Sequence, residues 1–153
     1  MKNFKIQLWV LFFLLLPFTG LAQRGSGGWC TNTNYNTMYN ISTVVELKGT
    51  VEKVEKIIPE KGMSNGIHLI MKTDKKETIS VHLGPEWFLD NQDVQIAKGD
   101  AITVNGSKVT YENKTAIIAK TIEKGDDLLE LRDDQGFPKW NGWRKGKNRR
   151  GAN

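Results

Sequence analysis

The sequence predicts a mainly β protein: a five-stranded barrel with one short helix between strands 3 and 4, plus a C-terminal hairpin. Three observations support this fold class. From residue 43 onward, β-branched residues recur in short alternating runs that turn signals separate. The first run, residues 43–58, is long for a strand and switches parity near Glu52, which indicates a bulge and a bend. After the third run, Pro85 and Glu86 open a short helix.

Two further strands follow the helix, at residues 101–110 and 115–123. The runs at residues 128–132 and 137–140 flank a turn and form the predicted C-terminal hairpin. Three strands, a helix and two strands is the element order of the OB-fold, a Greek-key barrel. The sequence therefore predicts an OB-fold-like domain over residues 43–140, with another small β-barrel or sandwich as the alternative.

The second and third runs form a hairpin whose register follows from their apolar pattern. One register buries three apolar residues of each strand, and it pairs Met71 with Ile79, Leu69 with Val81, and Ile67 with Leu83. The same register places His68 directly opposite His82 on the other face, outside the core.

Residues 1–22 have the parts of a secretory signal peptide: a basic start, an apolar run and small residues that end at Ala22. The apolar run is too short for a membrane anchor. The sequence thus predicts cleavage after Ala22, export to the periplasm or the extracellular space, and no transmembrane span in the mature chain. Residues 23–42 are rich in Gly, Asn and Thr and are predicted to be a flexible arm, although Trp29 and Tyr35 have the character to dock on the domain.

The charge is distributed unevenly. The full chain carries +5, and loss of Lys2 and Lys5 with the signal peptide leaves +3. No acid follows Asp134, so the six cations beyond it make the end of the chain basic, while residues 23–134 carry −3. A nucleic-acid-binding fold is expected to carry its own basic face. The distribution therefore argues against a cytosolic nucleic acid as partner.

Several segments resemble a family of small exported bacterial domains, the MamS/MamX-like domain of certain magnetosome proteins and of uncharacterised periplasmic proteins. The resemblance covers roughly residues 35–140 and rests on YNTMYN at 35–40, VELKGTV at 45–51, VHLGPEWFL at 81–89, KGD at 98–100 and LRD at 131–133. It implies export, an OB-like barrel, a non-enzymatic role and a link to metal or redox biology. Some magnetosome relatives carry haem-attachment motifs, but this sequence has no Cys-x-x-Cys-His, so the resemblance does not imply covalent haem.

His68 and His82 are the candidate metal ligands. Imidazoles on adjacent strands suit copper, zinc, nickel or iron. A structural site needs about four ligands, and the spacing fixes no third. Met63, Met71, Cys30 and Glu86 are candidates if folding brings them near, although the pattern places Met71 in the core. The alternative is a cross-strand ring pair with local hydrogen bonds and no cofactor.

The tail, residues 141–153, follows Trp140 and interleaves aromatic and basic side chains. The residues predicted to bind a polyanion or another partner are Trp140, Trp143, Arg144, Lys145, Lys147, Arg149 and Arg150. Outside the cytosol the available polyanions are lipid head groups, acidic glycans and extracellular DNA. The alternative is a solvated tail with Trp140 packed on the barrel.

The sequence contains no catalytic motif: no Gly-x-Ser-x-Gly, no phosphate-binding loop, no His-Glu-x-x-His and no Cys-x-x-Cys. Its single cysteine, Cys30, excludes an intrachain disulfide. The predicted function is a non-catalytic, exported binding or adaptor module of the bacterial cell envelope that engages an envelope protein or an anionic surface. The alternative is a periplasmic transition-metal-binding protein that uses the histidine pair.

Overall fold

The computed structural model describes residues 25–143, so the predicted signal peptide and residues 144–153 lie outside the described residues. A short 3-10 helix at Ile41–Thr43 precedes the first strand. The elements that follow are β1 (Val44–Ile57), β2 (Gly66–Thr73), β3 (Thr78–Pro85), α1 (Glu86–Leu89), β4 (Ala101–Tyr111), β5 (Lys114–Lys124) and β6 (Asp127–Glu130). None of the helices within residues 25–143 has the length and apolar character to cross a bilayer.

The strands form one sheet that closes on itself. Their order is β3-β2-β1-β4-β5-β6, and a parallel pairing of β3 with β5, Ser80 to Ala116, joins the sheet into a ring. The first half of β1 pairs with β4 and the second half with β2, because the long strand bends between the two partners. The mainly β, OB-fold-like prediction with a short helix between β3 and β4 is confirmed.

The bend in β1 lies where the parity switch predicts it. The register between β1 and β2 shifts between Val51 and Lys53, so the extra residue is Glu52. Gly49 permits the close approach of the two strands beside this bulge, since a Cβ there would lie 2.3 Å from the carbonyl oxygen of Lys72. A side chain at position 49 would therefore push β2 away from β1.

The predicted β2–β3 register is correct for most of the hairpin and fails at one end. Met71 pairs with Ile79, Leu69 with Val81, and His68 with His82. A bulge between Ile67 and His68 then places Ile67 opposite Gly84, not opposite Leu83. The extra residue is Leu83 on β3, and beyond it Gly66 pairs with Pro85, the residue that precedes α1.

The C-terminal hairpin differs from its prediction. Residues 127–130 form β6, which pairs with β5 and widens the barrel sheet. Beyond it, the predicted hairpin is reduced to one bridge between Arg132 and Pro138. The reason is the tight turn between them, in which one carboxylate oxygen of Asp133 accepts from the backbone N–H groups of Gln135 and Phe137, at 2.9 Å each.

The described part of the N-terminal arm, residues 25–42, lies packed against the barrel, which corrects the expectation of a flexible segment. Trp29 and Tyr35 are buried in the same core as the strand residues. The Trp29 Nε1 donates to the carbonyl oxygen of Ser64 at 3.1 Å, and the backbone N–H of Ser64 donates to that of Gly27 at 2.8 Å. Burial of two large aromatic side chains offsets the entropy of ordering this polar segment.

Candidate functional site

The two histidines lie side by side on the outer face of β2 and β3. Their ring centroids are 5.7 Å apart and the rings meet edge to face. The predicted pairing is therefore confirmed. The expectation that both rings lie outside the core is wrong for His82, which is only 2% exposed. The N-terminal arm covers this ring, and the residue pattern of β2 and β3 does not predict that contact.

An aromatic cage surrounds His82. The Tyr35 ring stacks over it with centroids 5.8 Å apart, and the Tyr111 ring meets it at 4.8 Å. The Nδ1 of His82 shares a 3.0 Å hydrogen bond with the hydroxyl of Tyr35, while Nε2 is buried without a partner in the described protein. Burial, reinforced by His68, lowers the pKa of His82 to about 4. This imidazole is consequently neutral at neutral pH.

His68 is more exposed and is held on both sides. Its Nδ1 lies 3.0 Å from Ser80 Oγ, and its Nε2 lies 3.2 Å from Glu55 Oε2. Binding of a metal by His68 must therefore break one of these two hydrogen bonds. Glu55, His68 and Ser80 are thus hydrogen-bonded in the same sequence, acid to imidazole to hydroxyl, as the groups of a catalytic triad. However, β3 is paired with β2 and with β5 at Ser80, so the backbone there is engaged in the sheet rather than free to bind an oxyanion.

The third metal ligand that the sequence left open is not supplied near the pair. Within residues 25–143 no three His, Cys, Asp or Glu side chains form a cluster that could hold a metal ion. Met63 is a core residue, Glu86 forms an ion pair with Lys56, and Cys30 is exposed on the arm. Among the described residues, the two imidazoles have Glu55 as their nearest carboxylate, and it is hydrogen-bonded to His68 rather than part of a three-residue metal-binding cluster.

The arm occupies the face that other OB-folds use for ligands. In that fold, the surface of strands 2 and 3 and the adjoining loops bind oligonucleotides and oligosaccharides. Here Tyr35 stacks on His82 of β3, and the Trp29 ring lies so close to Gly66 at the start of β2 that a Cβ there would be 2.5 Å from it. The protein's own chain therefore covers this surface around His82 and Gly66.

Trp140 is the predicted partner-binding residue that the structure removes from the surface. It is 1% exposed, and its Nε1 donates to the carbonyl oxygen of Trp29 at 3.3 Å. Trp140 is thus a core residue, as in the alternative reading of the tail. Trp143 is half-buried against Trp87 and Phe88, with centroids 6.2 and 5.8 Å away. The predicted basic residues Arg144, Lys145, Lys147, Arg149 and Arg150 lie outside the described residues.

Arg132 is a candidate functional residue that sequence reasoning did not select. It is 5% exposed, with the guanidinium carbon 4.9 Å from the centre of the Tyr39 ring and 5.0 Å from that of the Trp140 ring. Its Nη1 donates to the carbonyl oxygen of Gly136 at 3.1 Å, whereas its Nε is buried without a partner. The ion pairs formed within residues 25–143 do not include it. Burial lowers the pKa of Arg132, but a guanidinium stays charged.

Arg132 forms part of the wall of a cleft between the arm and the C-terminal segment. The cleft has a volume of about 690 Å³. Its lining side chains are mostly amides, hydroxyls and apolar groups, and they include the exposed Cys30. In sequence, Arg132 is a cation at the end of a short strand, which normally indicates a solvated side chain. Here the rings of Tyr39 from the arm and Trp140 from the C-terminal segment cover it.

The fold and the site together define a small OB-fold-like β module whose two terminal segments close over one face. A family model, described as the MamS/MamX magnetosome protein family, matches residues 43–129. The chain therefore belongs to the MamS/MamX magnetosome protein family, which relates it to magnetosome-associated proteins. A search of the curated proteins finds no match. The family match spans the barrel and the histidine pair, and it includes neither the arm nor Arg132.

Proposed function

We propose that this protein is an exported, non-catalytic binding module of the bacterial cell envelope that engages an anionic partner, a protein or a surface, through its basic C-terminal segment. One observation carries the proposal. Trp143, which immediately precedes the basic run, packs against Trp87 of α1 and the buried Phe88. Trp143, the last described residue before the basic run, is thereby held beside α1.

The other surfaces of the described protein support a binding role by elimination. Tyr35 covers the face of β2 and β3 around His82. The chain's own arm therefore occupies part of the surface that usually binds a ligand in this fold, which favours partner contact elsewhere on the protein. The basic run also supplies the sign of charge that anionic envelope surfaces attract.

The experiment compares the exported protein with a chain that ends at Trp143. Truncation removes five cations and changes the mature charge from +3 to −2. We expect the exported protein to bind vesicles of phosphatidylglycerol at about 20 mM salt and to detach at about 300 mM, because salt screens exposed charges. Neutral phosphatidylcholine vesicles should bind neither chain. The truncated chain should lose binding and keep its thermal stability, since Trp143 remains in place.

A matched control separates the tail from net charge alone. It carries the same loss of five charges, through Gln at five exposed lysines that form no ion pair within the described residues: Lys48, Lys72, Lys75, Lys98 and Lys114. We expect this variant to bind anionic vesicles nearly as the exported protein does. Full binding by the truncated chain, or equal loss in the control, would refute a role specific to the tail.

Metal binding by His68 and His82 is the second candidate function. One observation favours it: the Nε2 of His82 is buried and has no hydrogen-bond partner in the described protein. The His68 ring lies beside it, with the two ring centroids 5.7 Å apart. Metal analysis of the purified exported protein tests it directly. Bound copper, zinc, nickel or iron that His68→Gln removes would support this candidate, and metal-free protein after incubation with each ion would reject it.

A further inference from the structure

We propose that the cleft between the N-terminal arm and the C-terminal segment is a binding site for a small oxyanion, a carboxylate or phosphate group, which Arg132 holds. This site is separate from the basic tail, because every side chain in the argument lies within residues 25–143. It is also distinct from the histidine pair, which lies on the face that Tyr35 covers.

The first observation is a buried positive charge that forms no ion pair with any residue of 25–143. Charged side chains are almost never fully buried unless they are paired, because desolvation of an ion is costly. The three acids nearest to Arg132 in sequence are all engaged elsewhere. Asp133 accepts from two backbone N–H groups of its own turn, Asp134 pairs with Lys120 at 2.6 Å, and Glu130 pairs with Lys139 at 3.6 Å.

The second observation is how firmly the guanidinium is held. The rings of Tyr39 and Trp140 lie within 5.0 Å of it, and Trp140 is itself fixed by its hydrogen bond to Trp29. The stacking lowers the cost of burial, but aromatic rings supply no negative charge. Of the five N–H donors on a guanidinium, one donates to an acceptor in the described protein, the carbonyl of Gly136. A positioned cation with unused donors is the arrangement that recognises carboxylate and phosphate oxygens.

The third observation is the lining of the cleft. It contains no Asp or Glu among the described residues, although residues 23–134 carry a net charge of −3. The polar side chains that line it are neutral donors and acceptors: Thr31, Asn32, Asn36, Thr37, Asn40, Gln135 and Asn141. At about 690 Å³ the cleft is in the usual size range for a small-molecule site. The lining suits a small ligand that carries an oxyanion and further oxygen atoms.

The protein contains its own reporter for this site. Cys30 is the single cysteine of the chain, it is exposed, and it lines the cleft. A ligand seated beside Arg132 should shield this thiol from alkylation by iodoacetamide. At a ligand concentration ten times its Kd, only about one molecule in eleven is unoccupied, so the alkylation rate should fall about tenfold.

The experiment measures the Cys30 alkylation rate of the full exported protein in chloride and in four oxyanion probes at equal ionic strength. Acetate and citrate present carboxylates, whereas phosphate and sulfate present tetrahedral oxyanions, so the two arms separate the two ligand chemistries. Probes are used at about 1–10 mM, where the general stabilisation by excluded salts is small. We expect saturable protection by at least one arm, and an unchanged rate in all four probes would overturn the proposal.

Two variants connect the protection to the cleft. Arg132→Gln should abolish it, but this variant also loses the stacking between Tyr39 and Trp140 and can fail to fold. Asn141→Asp adds a competing carboxylate at an exposed residue of the lining and leaves that stacking intact. Asn113→Asp, at the exposed turn between β4 and β5, is its control with the same charge change.

We expect Asn141→Asp to weaken protection at least tenfold and Asn113→Asp to leave it unchanged. Full protection in Asn141→Asp, or equal loss in both variants, would refute the cleft as the site. The chain that ends at Trp143 should still be protected. If the truncated chain lost protection, the anion would be bound by the basic tail instead. If the tail failed to bind vesicles, the proposal of a cleft site would be unaffected.

Discussion

We expect mild acid to destabilise this protein through His82. Burial is the larger cause of the lowered pKa of about 4, and the neighbouring His68 adds to it. In the unfolded chain the same side chain titrates near pH 6.5. Because the unfolded state takes up the proton first, the stability contributed by the neutral ring is complete above pH 6.5 and is lost as the pH falls from 6.5 to 4.

The size of the effect follows from proton linkage. At pH 5 the loss amounts to about 2 kcal/mol, and at pH 4 it reaches about 3 kcal/mol. The groups that face the ring are Tyr35 from the arm, Tyr111 from β4 and His68 from β2, so no carboxylate contacts it to stabilise the imidazolium. A loss of 2 kcal/mol is a large share of the total stability of a domain of this size, which is about 5–15 kcal/mol.

The assay is urea unfolding at pH 7.5 and pH 5.0, followed by tryptophan fluorescence. His82→Asn keeps a polar side chain near the Tyr35 hydroxyl but does not titrate. Since the remaining groups titrate alike in both proteins, the free energy of unfolding of the wild type should fall by about 2 kcal/mol more than that of the variant between pH 7.5 and pH 5.0. His68→Asn is the control and should keep most of the loss, because burial is the main cause. Equal acid sensitivity of wild type and His82→Asn would refute the reasoning.

Three other predictions address the core, the arm and the processing of the chain. Val81 is 0% exposed, so Val81→Ala should lower the free energy of unfolding by about 1–3 kcal/mol. Val54→Ala, at an exposed position, should lower it much less in the same urea titration. Gly66→Ala drives a Cβ into the Trp29 ring at 2.5 Å, so we expect a loss of about 1–3 kcal/mol and a red-shifted tryptophan emission. An unchanged spectrum would mean that the arm does not rest on β2. Mass spectrometry of the exported protein should show Gln23 as the first residue, and retention of residues 1–22 would contradict export by a cleaved signal.

The local features of the barrel were predictable because their causes are local. The bulge at Glu52 shows as a change of alternation within one run, and the pairing of Met71 with Ile79 follows from a short loop and two apolar faces. Where a prediction was wrong by one position, at Ile67, the cause was a second bulge, shortly before α1, that the alternation does not show. Alternation reports which face a residue occupies, but it does not report what lies above that face.

The sequence by itself determined the succession of strands and helix along the chain, the bent first strand, the paired histidines and the uneven charge, since each depends on neighbours within one hairpin or on composition. Only the tertiary structure decided which of these groups meet solvent. Tyr35 reaches His82 across 47 positions and Trp140 reaches Trp29 across 111. Contacts so distant in sequence leave no periodic signal, because they depend on how the ring closes and where the chain ends return. Burial at those contacts makes His82 neutral and leaves Arg132 charged without a carboxylate partner among residues 25–143.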